Sequence, residues 1–412
     1  MHAHSLACSI CSPEPRVCGG VEEFSGIPTP VTISRADMSI DKSIEAAEHP
    51  TVLETPAQLE AAEAAWSQSS VLGIDTEFVR ERTYRADLGL VQVSDGETAW
   101  LWDPLRFESG AAIARLLEDP AITKVMHSVS EDLEVLSNTI GAVPEPLVDT
   151  QIACAMLGQP LQLSFQGAAK WLFDVEIDKD HTRSNWLKRP LQAGQLRYAA
   201  MDVVLLPRIL AELKPRLEQA GRWAWLQEDV ARMQRNAAQT TDPDEAYLRI
   251  GGAARLDDEG LRALRAMARW REQTAEARNR ARGFVVSDAG LLELARLRPK
   301  SAEELEGAGD LHPRALARYA QDLLQAIATA EADRSPLRWP EPLDNEQKRQ
   351  IDQLRKLVQA RAVELDVDPA LLASRRELER LLRAVAAGEP APERFLGWRK
   401  AVITDDLLGI IG

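Results

Sequence analysis

The stretch Val71-Leu-Gly-Ile-Asp-Thr-Glu-Phe78 decides how this chain is organised. Its short apolar run predicts a β-strand, and its apolar flanks predict that the strand lies at the centre of a sheet. Asp75 and Glu77 are two positions apart, so both side chains point to one face of the strand. Carboxylates in such a strand are costly unless they are paired or bind a metal. The strand is therefore predicted to present two acids to a functional site.

A second segment supplies another acid. Asp132 lies in His127-Ser-Val-Ser-Glu-Asp-Leu133. Ser128 and Glu131 have the spacing of a capping box, which predicts a helix that begins here. Asp132 is then expected in the first turn of that helix.

A third segment, Tyr198-Ala-Ala-Met-Asp-Val203, completes the set. Tyr198 and Asp202 are four residues apart in a helical stretch, so they lie side by side. Four converging carboxylates with a phenol beside one of them form a cage for two hard divalent cations. Such a cage hydrolyses phosphodiesters.

The composition is that of an ordinary soluble globular protein, with 412 residues, 45% of them hydrophobic and 27% charged. This length is enough for two or three domains. No apolar run approaches the roughly 20 residues that cross a membrane. The N-terminal region lacks the basic and apolar parts of a secretory signal. Four cysteines do not form a disulfide framework, so we expect a protein of the reducing cytoplasm.

The net charge of −15 argues against a protein that coats nucleic acid non-specifically. It does not argue against an enzyme that binds only one end of a nucleic-acid chain. The cage carboxylates contribute to the negative total, and bound cations would neutralise them. The remaining charge is unevenly spread, and one predicted helix is strongly basic.

Residues 1–48 show no periodicity and are rich in Ser, Pro, Cys and Glu, which predicts a disordered tail. Met38 offers an alternative start. A zinc site is the competing interpretation, but the spacing does not complete a paired CxxC pattern. Its candidate ligands are His2, His4, Cys8, Cys11 and Cys18.

Residues 49–225 have an α/β pattern. Thr55 followed by Pro56 predicts the start of a helix. Strands are predicted at 71–78, 88–94 and 98–103, the last two joined by the Asp95-Gly96 hairpin signal, then at 123–127, with a short strand ending at 149. A helix is predicted near 110–118. This order predicts an α/β mixed sheet of the RNase H-like kind.

No strand pattern follows residue 226. We predict a helical connector at 226–250 and a first all-α block at 251–332, with strong helices at 261–282 and 313–332. A Pro-rich linker at 333–344 precedes a second all-α block at 345–412. Each block has the size of a small helical domain.

The three acidic segments resemble the exonuclease motifs of the DEDD superfamily, in its tyrosine-bearing branch. The wider pattern resembles the ribonuclease D family over residues 50–412, and the two helical blocks are similar to that family's tandem HRDC domains by helix pattern and position. The family-like runs include Asp75-Thr-Glu-Phe-Val-Arg-x-Arg-Thr-Tyr84, Leu88-Gly-Leu-Val-Gln92, Asp149-Thr-Gln151, Arg183-Ser-x-Trp186 and Arg189-Pro-Leu191. Asn185 departs from the family, since an acidic residue is expected there.

This resemblance implies 3′→5′ exonucleolytic trimming of RNA, notably of tRNA precursor 3′ ends, with release of 5′-mononucleotides. It also implies two Mg²⁺ ions, with Mn²⁺ able to substitute. By position, Asp75, Glu77 and Asp202 would hold one metal, and Asp75 and Asp132 the other. Tyr198 would orient, and help to deprotonate, the attacking water.

Other residues near the motifs are candidates for substrate binding. Phe78 and Tyr84 have the character to stack on terminal bases, although core packing explains Phe78 equally well. Arg80 and Arg183 are candidates for phosphate binding or surface ion pairs. Trp186 lies in a family-like run. His127 is either a substrate contact or a hydrogen-bonded core histidine.

Arg262, Arg265 and Arg269 are spaced three and four residues apart along one face of the basic helix, and the pattern extends toward Arg282. They either bind phosphates of the tRNA body or pair with acids of the nuclease block.

Two other functions remain open from the sequence. A DNA 3′→5′ exonuclease would use the same cage, because the acids do not distinguish sugars. A binding scaffold with a decayed nuclease core is the other, and the intact acids argue against it. A monomer is the default expectation.

Overall fold

The computed structural model of the protein describes residues 37–177, 184–237, 242–308, 311–338 and 343–412. Arg183 and the candidate zinc ligands lie outside these ranges. Among the helices that are described, none combines the length and apolar character that crossing a bilayer requires.

A six-stranded mixed sheet forms the centre of the N-terminal half. The strands are β1 (Thr51–Leu53), β2 (Val71–Val79), β3 (Asp87–Ser94), β4 (Ala99–Trp102), β5 (Thr123–Met126) and β6 (Leu147–Asp149). Their order across the sheet is β1-β4-β3-β2-β5-β6. β3 is antiparallel to β2 and β4, whereas β5 is parallel to β2 and β6, and β1 is parallel to β4. The predicted RNase H-like mixed sheet is confirmed. β1 was not predicted, because three residues are too few to show a pattern.

Nine helices of the described chain surround this sheet or precede it. They are α1 (Asp37–Glu48), α2 (Pro56–Trp66), α3 (Gly110–Glu118), α4 (Ser130–Thr139), α5 (Thr150–Ala155), α6 (Phe165–Phe173), α7 (Ala193–Val204), α8 (Leu206–Gln219) and α9 (Trp223–Ala237). The predicted start of α2 is confirmed: the Thr55 side chain accepts a hydrogen bond from the Gln58 amide, and Pro56 begins the helix.

The helix α1 corrects the predicted disorder of residues up to 48. Ile40 and Ala47 are buried, and α1 packs against α7. Arg208 donates a hydrogen bond to the Ser43 hydroxyl at 2.7 Å, and Arg197 pairs with Glu48 at 2.6 Å. The composition of this segment is too polar to predict a helix, so contacts with the rest of the fold supply its stability.

The described C-terminal half is helical. A first group contains α10 (Asp258–Ala277), α11 (Arg282–Val285), α12 (Asp288–Leu297), α13 (Ala302–Gly307) and α14 (Pro313–Ala332). These helices, with a 3₁₀ turn at Pro243–Arg249, enclose a hydrophobic core of their own. We call this group the middle domain.

The predicted helix at 261–282 is wrong at its C-terminal end. α10 ends at Ala277, and Asn279 has a left-handed φ of 42°. The Arg280 amide then donates to the Ala275 carbonyl, which closes the helix end. The predicted arginine stripe therefore does not continue along one helix to Arg282.

The last helices are α15 (Asn345–Leu365), α16 (Pro369–Leu372), α17 (Arg375–Ala386) and α18 (Asp405–Ile411). We call them the terminal block, and its buried residues belong to the same hydrophobic cluster as the sheet. Arg399 forms a buried pair with Asp229 of α9, at 2.6 and 2.8 Å. The rings of Trp398 and Trp225 stack with centroids 4.5 Å apart. The terminal block thus completes the core of the nuclease half.

Candidate active site

Three carboxylates converge at one face of β2. Asp75 and Glu77 project from the strand and Asp202 from α7, and each offers an oxygen within 4.8 Å of the others. The Tyr198 hydroxyl, one turn earlier on α7, donates a hydrogen bond to Asp202. The structure therefore brings together the first and third predicted segments.

The close approach of α7 to β2 depends on Gly73. A Cβ atom at this position would lie 2.5 Å from the Val203 carbonyl oxygen and 2.9 Å from the Leu206 Cβ. Any larger residue would push the end of α7 away from the strand. The glycine in the first segment therefore sets how near Asp202 comes to Asp75.

Asp132 lies beside the trio, in the first turn of α4. Its carboxylate accepts a hydrogen bond from the Thr76 hydroxyl, on the strand residue between Asp75 and Glu77. Its charge is close enough to raise the pKa of Asp75. We call Asp75, Glu77, Asp132 and Asp202 the cage.

The predicted capping box at the start of α4 is wrong. The helix begins at Ser130, and Ser128 has a φ of 61°. The Asp149 carboxylate accepts instead from the amides of Ser128 at 3.3 Å and Val129 at 3.0 Å. Asp149 also caps α5 through the amides of residues 151 and 152. A side chain distant in sequence therefore holds the helix that carries Asp132.

Removal from water raises the pKa of every cage acid, and repulsion by other cage acids adds to this effect for Asp75 and Glu77. For Asp75 removal from water is the largest cause, followed by the charges of Asp132, Asp202 and Glu77. The same causes raise the pKa of Glu77 to about 9. Removal from water raises the pKa of Asp202 to about 7 and that of Asp132 to about 6. Without a cation, the cage retains protons near neutral pH.

This donor set fits hard divalent cations. Carboxylate oxygens are the ligands that Mg²⁺ prefers, and they also suit Mn²⁺. A cation would replace the protons and compensate the repulsion that raises the pKa values.

Tyr198 is a neutral donor at this site. Its pKa is raised above 10 by removal from water and by the negative charges of Asp202 and Glu77. Its ring packs near Trp186, with ring centroids 6.1 Å apart. In the metal-free site the phenol is therefore a hydrogen-bond donor to Asp202.

Trp186 contacts one of the cage acids, Glu77. Its side chain is 2% exposed and donates a hydrogen bond to Glu77. β2 and β3 change register between Glu77 and Phe78, which leaves Gly89 as the extra residue of a bulge. A Cβ at Gly89 would lie 2.7 Å from the Trp186 carbonyl oxygen, so only glycine lets this loop approach.

Arg189 fastens the same loop to the sheet. It pairs with Asp103 at 2.6 and 2.8 Å and donates to the carbonyls of Trp186 and Gly89, both at 2.6 Å. Sequence reasoning did not assign this role to Arg189, Asp103 or Gly89. The available signals were the family-like runs Leu88-Gly-Leu-Val-Gln92 and Arg189-Pro-Leu191.

Asn185 lies in the same loop. Its side-chain oxygen accepts from the Leu187 amide at 3.1 Å, and its carbonyl accepts from the Lys188 amide. Asn185 therefore shapes the turn that leads from Trp186 to Arg189.

The remaining predicted substrate residues near the motifs have intramolecular partners. Phe78 is half-buried against the core, and Arg80 pairs with Glu134 at 3.1 Å. Tyr84 donates to Glu272 of the middle domain at 2.6 Å, and Arg282 covers its ring at 4.5 Å. These contacts place Tyr84 at a domain contact.

His127 has both ring nitrogens engaged. One contacts the Thr150 hydroxyl at 2.8 Å and the other the Leu163 carbonyl at 2.9 Å. Removal from water lowers its pKa. This geometry favours the core-histidine interpretation.

The three arginines of the predicted stripe are also engaged. Arg262 donates to the Ser335 carbonyl at 2.8 Å, and Arg269 pairs with Asp244 at 3.1 Å. Arg265 pairs with Asp333 and donates to the Pro336 carbonyl at 3.0 Å. Their partners belong to the middle domain and the segment after α14, not to the nuclease half. Phosphate binding by these residues stays a prediction.

Two family models match the chain. A 3′-5′ exonuclease model matches residues 50–218, and an HRDC domain model matches residues 260–327. The first range contains the cage and Tyr198. The second falls within the middle domain, whereas the terminal block lies outside both ranges.

Relatives and solved structures agree with these models. The chain is 39% identical to ribonuclease D of Pseudomonas paraeruginosa over 353 residues, covering 84% of this chain and 93% of that protein. It is 33% identical to ribonuclease D of Escherichia coli over 348 residues, covering 82% and 92%.

The fold is similar to the crystal structure of Escherichia coli RNase D, described as an exoribonuclease involved in structured RNA processing. The TM-score is 0.82 at 31% identity, covering 88% of this chain and 98% of that one. The catalytic core of RRP6 from Trypanosoma brucei shares the fold, with a TM-score of 0.56 at 24% identity over 69% of this chain and 80% of that one.

Proposed function

The chain belongs to the ribonuclease D family, and on this premise we propose that it trims extra 3′-terminal residues from tRNA precursors by two-metal-ion hydrolysis. As a member of that family it is a 3′→5′ exoribonuclease. The products are 5′-mononucleotides. One observation carries the proposed mechanism: Asp75, Glu77 and Asp202 converge within 4.8 Å, with Asp132 and Tyr198 beside them.

The proposed metal ligands rest on the family resemblance, and the convergence of Asp75, Glu77 and Asp202 supports the first set. Asp75, Glu77 and Asp202 would hold one Mg²⁺, and Asp75 with Asp132 would hold the second, with Mn²⁺ able to replace both. When bound, the two cations supply charge stabilisation at the scissile phosphate and a lower pKa for the attacking water. Asp75 is the residue shared by both sites.

The chain's own groups do the positioning. Tyr198 lies beside Asp202, where its hydroxyl orients the attacking water and helps to deprotonate it. Trp186 holds the Glu77 carboxylate in place through its hydrogen bond. Thr76 holds Asp132 through its hydroxyl. A fixed geometry of this kind supplies much of the rate enhancement in phosphodiester hydrolysis.

Two features of the proposal go beyond the cage. We place the enzyme in the cytoplasm as a monomer, where tRNA precursors are its substrates. We also propose that the terminal block is a second HRDC-like domain, on the basis of its helical size and position. A decayed scaffold is disfavoured, because the cage acids are intact and converge.

A direct test compares three substrates: a 3′-extended tRNA, a single-stranded DNA of matched sequence, and an RNA with a 3′-phosphate. Each is digested with Mg²⁺ and with EDTA. We expect mononucleotide release from the extended tRNA with Mg²⁺ only, and slower release from the other two. Faster digestion of DNA would favour the DNA exonuclease alternative, and hydrolysis in EDTA would exclude the two-metal mechanism.

A further inference from the structure

A groove on the middle domain combines positive charge with an exposed aromatic ring. It has a volume of about 860 Å³ and lies between α11 and the first half of α14. We call it the Phe284 groove. Its chemically distinctive lining residues are Arg280, Phe284, His312, Arg314 and Arg318.

The arginines of this groove have no acidic partner among the residues that the structure describes. Arg280, Arg314 and Arg318 are exposed, and among the described residues none of them forms an ion pair. Within the same part of the chain, no Asp or Glu lines the groove. In a chain of net charge −15, a pocket lined by three guanidinium groups that lack an ion pair with any described residue favours an anionic ligand.

Phe284 adds a second chemical preference. Its side chain is 51% exposed, unusually high for a large apolar residue. The Arg280 guanidinium lies 5.6 Å from its ring centroid, and Arg278 lies 5.5 Å from the ring of Tyr319, which closes the groove floor. Tyr319 itself is buried, so Phe284 is the ring that the groove exposes, and an exposed aromatic ring beside arginines is a surface on which a single-stranded base can stack.

The groove is joined to the nuclease site by backbone contacts. The amide of Ala281, next to Arg280, donates to the Arg82 carbonyl at 2.9 Å. Arg82 lies in the loop that follows β2, the strand of Asp75 and Glu77. The same loop is held by the pair of Arg85 with Glu276 at 2.7 Å. The groove therefore begins where the middle domain meets the loop leaving the cage.

From these observations we propose that the Phe284 groove binds unpaired nucleotides of the RNA substrate outside the cage. Phe284 stacks on a base, and Arg280, Arg314 and Arg318 bind the phosphates. This inference rests on the proposed function, because it assigns the ligand to the same RNA whose 3′ end enters the cage. An acidic polypeptide would satisfy the arginines but would leave the exposed ring without a stacking partner, so we favour RNA.

The test uses two variants of the full chain, Phe284→Ala and the double variant Arg314→Gln with Arg318→Gln. Two controls come from α12 of the same domain. Arg296→Gln removes an arginine that is 66% exposed and paired with Glu293, and Leu297→Ala removes an exposed apolar residue. Thermal melting of each variant establishes that the domain is folded.

Binding of a 3′-extended tRNA is measured in EDTA by fluorescence anisotropy over a range of salt concentrations. We expect Phe284→Ala to weaken binding by about tenfold, the scale of one lost base stack. The arginine double variant should reduce the slope of log K against log salt by about 1.4, or about 0.7 per lost phosphate contact on a single strand. The controls should match the wild type.

Hydrolysis of a trinucleotide separates the groove from the cage. All variants should cleave it at the wild-type rate. Unchanged tRNA binding, or equal losses on tRNA and trinucleotide, would overturn the proposal. Displacement of the tRNA by polyglutamate as readily as by single-stranded RNA would also overturn it, in favour of a site for acidic polypeptides. If the groove variants weaken tRNA binding as expected but the wild-type chain cleaves neither the tRNA nor the trinucleotide, the proposed function would be contradicted and the groove proposal would not.

Discussion

Arg189 and Asp103 form a two-bond ion pair that joins the loop after Trp186 to the end of β4. Through the same guanidinium, Arg189 also holds the carbonyls of Trp186 and Gly89. Trp186 in turn donates to Glu77. An ion pair outside the cage therefore controls the orientation of a cage carboxylate.

Replacing Arg189 with Gln should lower both stability and turnover. Asp103 is buried and would lose its two short bonds to Arg189, keeping only the contact with Arg106 at 3.8 Å, and breaking a buried pair typically costs about 3 kcal/mol. Urea unfolding measures the stability, and kcat on a short RNA measures the effect on Glu77. The control is Arg115→Gln, whose pair with Glu63 is largely exposed and should contribute less than about 1 kcal/mol. Equal effects of the two substitutions would contradict this role of Arg189.

Tyr198→Phe should reduce kcat while leaving metal affinity unchanged. The phenol contributes a positioned hydroxyl and no metal ligand, and groups of this kind typically supply about 10²–10⁴-fold. Calorimetric titration with Mn²⁺ measures the affinity, and single-turnover hydrolysis measures the rate. A variant that loses metal binding but retains its turnover at saturating Mn²⁺ would show that the assigned role is wrong.

The metal-free protein should lose stability as the pH rises. The folded-state pKa values of the cage acids lie above their unfolded values near 4. Their contribution to stability is therefore fully present below about pH 4 and is lost as the pH rises through about 6 for Asp132, 7 for Asp202 and 9 for Glu77. Thermal melts in EDTA across this range should show a falling Tm.

Saturating Mg²⁺ should reverse this trend, because the cation binds the ionised cage of the folded state. Asp75→Asn should abolish hydrolysis and, in EDTA, raise the Tm at high pH by removing one repelling charge. Asp352→Asn, which changes an exposed acid of the terminal block, is the control and should leave the pH dependence unaltered. A metal-replete Asp75→Asn enzyme with near wild-type activity would contradict the cage assignment.

Two N-terminal truncations test the role of α1. A chain that starts at Met38 should keep its Tm and activity, because residues 1–37 contain too few apolar side chains to offset their ordering entropy. A chain that starts at residue 50 should lose at least about 2 kcal/mol, since it removes the buried Ile40 and Ala47 from α7. Equal Tm values for the two truncated chains would contradict the packing role of α1. Zinc that binds to the full-length chain but to neither truncated chain would support the zinc-site interpretation of the N-terminal tail.

The triple variant Arg262→Gln, Arg265→Gln, Arg269→Gln distinguishes the two interpretations of the stripe. If these arginines bind phosphates, the salt slope for tRNA binding decreases by about 0.7–0.9 per contact. Their observed bonds to Ser335, Asp333 and Asp244 favour anchoring, so we expect a lower Tm and an unchanged slope. A reduced slope with an unchanged Tm would contradict this expectation.

Local patterns predicted most of the sheet and the cage. β2 and α7 were recognised from spacings of two and four residues, and α3 has the predicted bounds of 110–118. The residue spacings that predict these elements lie within a single helical turn or a single strand. The convergence of Asp75 with Asp202 was inferable because each lies on a regular element.

The missed features depend on contacts between distant residues. Asp149, and not Ser128, accepts the hydrogen bonds at the start of α4. The spacing of residues around Ser128 gives no indication that a residue about 20 positions later takes this role. Gly89 acquires its importance only when the bulge brings it against Trp186. The arginines of α10 were correctly placed on a helix, but the partners of Arg262 and Arg265 lie about 70 residues later. The partner of Arg269, Asp244, lies before the helix.

The terminal block has a consequence for how the enzyme is made in the cell. A ribosome delivers the sheet and α9 first, and Asp229 then lacks Arg399 until nearly the whole chain has been synthesised. Domains otherwise fold as they emerge, so the middle domain can mature while the nuclease half still exposes apolar surface to chaperones and proteases. A messenger truncated after α14 would thus yield an unfinished nuclease that is readily degraded. The hydrophobic core of the nuclease half is therefore completed only when residues 343–412 have joined it.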